Sequence, residues 1–262
     1  MKLFRLVAII VALFGSITTA SAAIVRDLTA DAASLAPTNL LNPFGGWSFH
    51  NRLDGSGGAL IATANANWNS PDFGAGQQGW VANAGSHTGW ARFTNSNNPN
   101  GYDLLQGDIV THSPTSVMYT IQAADGSGIA NISGSFFTIR EIEGGNPDHV
   151  RTITWRLYKN DNIATPLTTG SYSTAVGNGL GRGNAMTFSL LNVPFELGDT
   201  FRLDLVTGSP HHDFSVVNMT LTLNPEIPEP SSITLLCIGA VGGLALMVRS
   251  RRRKMGVSCP EI

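Results

Sequence analysis

The sequence predicts an all-β protein: an antiparallel, jelly-roll-like β-sandwich over roughly 200 central residues, a length routine for one such domain. Three observations lead there. Apolar residues recur at every second position through the second half, clusters of Gly, Asn, Asp and Pro punctuate those runs, and no helical period is sustained between them.

Taken in chain order, strands are expected at Trp90 to Thr94, Asp108 to His112, Val117 to Gln122 and Ile129 to Ile142. Ile153, Trp155 and Leu157 then alternate with Thr152, Thr154, Arg156 and Tyr158, the pattern of a strand with one buried face. Met186 to Val193 follows. Phe201, Leu203 and Leu205 alternate with Arg202 and Asp204, as do Met219, Leu221 and Leu223 with Thr220 and Thr222. The turns between them are Asp125-Gly126-Ser127-Gly128, Gly144-Gly145-Asn146-Pro147, Lys159-Asn160-Asp161-Asn162, Gly177 to Asn184 and Gly208-Ser209-Pro210. Packing such strands as two sheets is the economical architecture. From Asn39 to Gly107 the pattern is less regular and rich in Gly and Asn, yet Trp47, Trp68, Trp80 and Trp90 all fall there.

The central region holds no cysteine, since Cys237 and Cys259 lie near the C-terminus, so its stability rests on a packed core. Nine basic residues from Arg26 to Arg202 face fifteen acidic ones from Asp27 to Asp213, a net charge of −6. An acidic balance argues against nucleic acid as a partner, because phosphate contacts need basic patches.

The two ends read differently from the middle. Lys2 and Arg5, the apolar run Leu6 to Phe14 and the A-x-A site Ala20-Ser21-Ala22 form the tripartite pattern of a signal peptide over residues 1–22. The mature chain is expected to begin near Ala23, with the sandwich ectodomain at 23–224. Residues 225–232, with Pro225, Pro228 and Pro230, read as a stiff linker. Ile233 to Val248 (233–248) is uncharged and reads as one transmembrane helix through the lipid bilayer. With Ser231 and Ser232 it reaches the short end of the roughly 17–25 residues a bilayer core requires. Arg249, Arg251, Arg252, Arg253 and Lys254 make a basic stop, and 249–262 a cytoplasmic tail, which leaves everything before Pro228 outside.

Ile227-Pro228-Glu229-Pro230-Ser231, one apolar helix and an arginine-rich end, behind a secretory signal, resemble the PEP-CTERM sorting signal of Gram-negative bacteria. The resemblance implies that Pro228, Glu229 and Pro230 are read by an exosortase, a membrane-embedded transpeptidase-like enzyme that processes the tail and delivers the protein to the cell surface. Hosts of that family often make exopolysaccharide. Members usually stop soon after the arginines, whereas this chain continues from Met255 to Ile262. Gly45-Gly46-Trp47-Ser48-Phe49, His112, Asp125-Gly126, Ile132-Ser133-Gly134 and Gly198-Asp199-Thr200 are in turn similar to the β-sandwich ectodomains of many such proteins, a likeness that implies the fold and no ligand.

Candidate sites in the ectodomain are few. Trp47, Trp68, Trp80 and Trp90 could stack on sugar rings if they are exposed, or fill the core if they are not. His211-His212-Asp213 is the densest set of potential metal ligands, but adjacent strand residues face opposite ways and would not share one ion. Asp103 with Asp108, and Glu141 with Glu143 beside Asp148, are carboxylate pairs of the type glycoside hydrolysis needs, although sequence proximity does not make a cleft. The Asp, Asn and Gly residues at 125–131 and 160–162 lack the ordered spacing of a calcium loop. Asn131-Ile-Ser and Asn218-Met-Thr match the glycosylation sequon within expected strands. No nucleophile elbow, zincin motif, P-loop or dinucleotide fingerprint occurs.

The expectation is therefore a non-catalytic protein with no cofactor and no metal, delivered to the cell surface and serving extracellular polymer or biofilm structure. A carbohydrate-binding module acting on extracellular polysaccharide is the alternative, and a polysaccharide hydrolase or lyase the third class.

Overall fold

The structure, a computed structural model, describes residues 22–35, 40–51, 59–61, 64–70, 74–81, 89–94, 103–112, 114–139, 152–160, 162–173, 181–207, 214–226 and 239, with the backbone alone at 59, 64–70, 74 and 75. Residues 22–225 form one compact unit, and residues 1–21 with 226–262 a second. Residues 1–21 of the expected signal peptide 1–22, Pro228-Glu229-Pro230, the apolar run 233–248 apart from Gly239, and the basic stop lie outside the described residues. No helix among the described residues is long and apolar enough to cross a membrane.

The first unit is all-β. Its chain runs β1 (Ile24–Asp27), α1 (Leu28–Ala33), β2 (Trp47–Asn51), β3 (Ala59–Leu60), β4 (Ala64–Ser70), β5 (Gly74–Val81), β6 (Gly89–Arg92) and β7 (Ile109–His112). It continues through β8 (Thr115–Thr120), β9 (Gly128–Thr138), β10 (Thr152–Lys159), β11 (Thr168–Ser173), β12 (Met186–Phe195), β13 (Thr200–Thr207) and β14 (Phe214–Pro225). An eight-stranded sheet has the order β12-β9-β14-β7-β6-β5-β4, with β1 also on β14, and a six-stranded sheet has the order β11-β10-β13-β8-β2-β3. All the pairings are antiparallel. From β8 onward the chain changes sheet at each step except β10 to β11, the shuttling that a jelly roll requires.

Period-two alternation sends one set of side chains into the space between the sheets. Ile132, Phe136, Met219, Leu221 and Leu223 enter from the larger sheet and Val117, Ile153, Leu157, Phe201, Leu203 and Leu205 from the smaller, all fully buried. Aromatics bridge the layers at two places. Phe49 stacks on Trp90 with ring centroids 4.8 Å apart and meets Trp80 at 4.7 Å. Trp155 stacks on Phe188 at 5.2 Å and meets Phe136 at 5.3 Å.

These contacts decide between the two readings for three of the four candidate tryptophans, and correct the sugar-stacking expectation for those three. Trp47, Trp80 and Trp90 are each 0 % exposed and belong to the core, because β2, β5 and β6 turn them inward where a large ring buries the most apolar area. Trp47 Nε1–H donates to Asp31 Oδ2 at 2.8 Å and Trp80 Nε1–H to the Leu41 carbonyl at 3.0 Å, so the rings also tie down α1 and the chain before β2. Trp68 lies in β4, and its side chain is outside the described residues.

A second correction concerns β13, whose Arg202 and Asp204 were expected on an open face. Both are buried, with side-chain exposures of 5 % and 0 %. A buried charge must be paired, and here Arg202 Nε–H donates to Asp204 Oδ1 at 3.1 Å while its guanidinium lies 5.1 Å from the centre of the Tyr158 ring.

The start of the unit is held by Asp125. Its carboxylate accepts from Tyr119 Oη–H at 2.7 Å, from the Gln122 backbone N–H at 2.8 Å and from Arg26 at 2.6 and 2.9 Å. Burial would raise this carboxyl, but the hydrogen bonds from Tyr119, Gln122 and Arg26 outweigh it and hold it below the ordinary value.

Candidate functional site: a polar furrow on the larger sheet

β14 carries three neighbours. β9 pairs along its whole length, from Ser215 to Pro225, on one side. On the other side β1 covers Thr220 to Leu223 and β7 covers Phe214 to Val216, so two strands sit end to end on one edge. Between them, α1 approaches β14: Thr29 Oγ1–H donates to Asn218 Oδ1 at 3.2 Å. Asp27 caps that helix, accepting from Ala30 N–H at 2.9 Å, and its other oxygen accepts from Thr220 Oγ1–H at 2.7 Å.

A cavity of about 460 Å³ opens at this junction, lined on one side by Asp27, Thr29 and Ala30 and on the other by Arg92, Gln106, Asp108 and Arg182, with Ser135 and Asn218 in its floor. A second hollow of about 430 Å³ lies alongside over β12, β9 and β14, and shares Ser135 and Asn218 with the first. Its polar lining is in register. Thr187, Ser135 and Asn218 form one row across the three strands, and Ser189, Ser133 and Thr220 the next. Phe188 and Gly134 line the same hollow.

One ion pair lies in this furrow, between Arg182 and Asp108. Arg182 Nη2–H donates to Asp108 Oδ2 at 2.7 Å, its backbone N–H donates to Asp103 Oδ2 at 2.6 Å, and its guanidinium lies 5.1 Å from the centre of the Phe137 ring. Asp108 Oδ2 also accepts from Leu105 N–H at 2.7 Å. Burial nevertheless leaves the Asp108 carboxyl above its ordinary value, a rise that Leu105 and Arg182 only partly offset. Arg92 Nη1–H donates to Gln78 Oε1 at 3.2 Å, while its buried Nε has no hydrogen-bond partner.

Of the residues singled out from the sequence, Asp103 and Asp108 do meet, but through Arg182, Asp108 as the ion-pair partner of its guanidinium and Asp103 as the acceptor of its backbone N–H. His211-His212-Asp213, Glu141, Glu143 and Asp148 lie outside the described residues. Asp125 is engaged by Arg26 and Tyr119, and among the described residues no group of three or more His, Cys, Asp or Glu is placed to hold a metal ion. Asn131 Oδ1 accepts from Asn192 N–H at 3.0 Å, a bond that supports the irregularity between Leu190 and Val193 where β12 pairs with β9. The furrow's Ser and Thr residues were visible in the sequence as the polar half of the alternation. Their alignment across strands depends on register, which local sequence does not print.

The chain is thus a two-sheet β-sandwich followed by a protein-sorting signal. Residues 226–253 match the family model of the PEP-CTERM protein-sorting motif, so the signal it carries is of that kind. No curated protein matches the chain. Among solved structures, the xylan-binding module CBM15 is similar at 9 % identity with a TM-score of 0.33, over 79 % of this chain and 100 % of that one. A family 35 carbohydrate-binding module from Clostridium thermocellum is similar at 11 % identity and a TM-score of 0.29, over 48 % of this chain and 83 % of that one. The Agl-KA catalytic domain is similar at 13 % identity and a TM-score of 0.28 over 47 % of this chain, which spans only 23 % of that structure's length. Likenesses this distant say nothing of what the present sandwich binds.

Proposed function

We propose that this is an exported, non-catalytic protein of the cell surface or extracellular matrix, whose sandwich is carried out of the cell and delivered by its C-terminal signal. The observation that carries the reading is the motif match over residues 226–253, within which Pro228-Glu229-Pro230, the apolar run Ile233 to Val248 and the basic stop from Arg249 follow in order. In this reading the apolar run holds the precursor in the bilayer, the arginines fix its orientation, and an exosortase removes the tail. The secretory signal at 1–22 starts the export. Mass spectrometry of the protein from cells with and without the processing enzyme tests this. A mature form lacking Arg249 to Lys254 only when the enzyme is present supports it, and an intact basic tail in both strains refutes processing.

A second reading, that the sandwich binds carbohydrate, is favoured by the furrow and no longer by the tryptophans. Two adjoining hollows lined with hydroxyl and amide groups supply the donors and acceptors that a sugar needs for orientation.

A further inference from the structure

The geometry points to the Ser135–Asn218 furrow as a binding site for a linear polysaccharide without charged sugars. It rests on the sandwich binding carbohydrate at all, and adds the place and the class of polymer.

Continuity comes first. The two hollows are joined through Ser135 and Asn218, so a chain entering over Thr187 and Ser189 on the edge strand can continue past β9 and β14 toward Arg92 and Asp108. Neighbouring strands stand about 4.8 Å apart and alternate residues of one strand roughly 6.6 Å apart. The two rows of Ser, Thr and Asn therefore present hydrogen-bonding groups at regular intervals along and across the furrow. A repeating hydroxyl polymer can meet such a surface along its whole length, and a single sugar only over a small part of it.

Charge decides the class. Asp108 is held by Arg182, and Asp27 is occupied by Ala30 N–H and Thr220 Oγ1–H, so each carboxylate in the furrow is already partnered. The second hollow has no ionisable side chain. Of the two arginines in the furrow, Arg182 is neutralised by Asp108 and Arg92 donates to the neutral Gln78, so a polyanion would meet two carboxylates and no array of cations, and would lose hydration with little return. An uncharged polymer meets no such penalty. Phe137 lies 5 % exposed beneath Arg182, and Phe188 is 7 % exposed with its ring stacked on Trp155, so the described part of the furrow offers little aromatic face, and the polymer is held edgewise by hydrogen bonds instead of by stacking.

Affinity electrophoresis of the full chain in mild detergent, through gels containing hydroxyethylcellulose, galactomannan or polygalacturonate, reads this directly. Wild type should be retarded by at least one neutral polymer, with little dependence on salt, and not by polygalacturonate. The near-isosteric pair Ser135→Ala with Thr187→Val should weaken that retardation at least tenfold, while Thr154→Val on the other sheet leaves it unchanged. Thermal melting of all three proteins checks that the fold is kept. Equal retardation of the furrow variant overturns the furrow as the site but leaves carbohydrate binding standing. No retardation of wild type by either neutral polymer overturns both, and preference for polygalacturonate overturns the neutral class.

Discussion

The Tyr119 hydroxyl donates to the Asp125 carboxylate at 2.7 Å, and the same carboxylate receives Arg26 from β1, so one buried acid joins the smaller sheet to the first strand of the larger. Removing the Tyr119 hydroxyl with Tyr119→Phe deletes a hydrogen bond to a charged group and should cost about 1.5–3 kcal/mol. Asp125→Ala also strands Arg26 and the Gln122 N–H, and should cost about 3–5 kcal/mol. Urea unfolding followed by tryptophan fluorescence measures both, and a smaller loss for Asp125→Ala than for Tyr119→Phe would contradict this arrangement.

Stability should fall on both sides of neutrality, for opposite reasons. Asp125 and Asp199 have depressed carboxyl pKa values, so their contribution is complete above the ordinary value of 3.8 and is lost as pH falls through their folded values. Tyr119 is pushed up by burial and by Asp125, so its contribution is complete below the ordinary value of 10.0 and is lost as pH rises through its folded value. Asp108, raised by burial, works against the acid limb, being most favourable at low pH. Melting temperature against pH should show a plateau bounded by these limbs, with the acid limb shallower in Asp125→Asn.

Gly134 and Gly170 are places where a backbone and a large ring share one space. A Cβ on Gly134 would collide with the Phe188 ring and come within 2.8 Å of the Asn218 carbonyl, and one on Gly170 would lie 2.7 Å from the Trp155 ring. Alanine at either position should destabilise by about 1–3 kcal/mol, the usual range for overpacking. Chemical denaturation checks this, and a neutral result would mean that the rings yield.

Trp90→Ala should cost about 3–5 kcal/mol, as for other buried aromatic deletions. The milder Trp90→Phe, which stays folded, should leave retardation by neutral polysaccharide unchanged. A selective loss of binding would return this ring to the ligand site.

The later strands were legible because each half-buried strand repeats its apolar side chains with period two. Ile153, Trp155 and Leu157 or Met219, Leu221 and Leu223 needed no further information. β2 was hidden because Trp47, Ser48 and Phe49 are buried in succession, which leaves no alternation to read. β4 and β5 consist largely of Ala, Asn, Gly and Gln, residues with little strand preference. Arg202 and Asp204 follow the alternation faithfully and mislead for that reason, since a polar residue marks an open face only when nothing covers it. The joining of Asp103 to Asp108 through Arg182, more than seventy positions away, and the alignment of Ser133 with Ser189 and Thr220, are products of topology.

β1 and β14 stand at opposite ends of the unit's sequence yet pair residue for residue, Ile24 with Leu223 through Asp27 with Thr220. β14 also carries β9 and β7. A chain stopped short of Phe214 therefore has nothing to seat its first strand and loses the spine of its larger sheet. Closure of the larger sheet therefore waits on the segment that directly precedes the sorting signal, because the first strand has its partner only once β14 has been made.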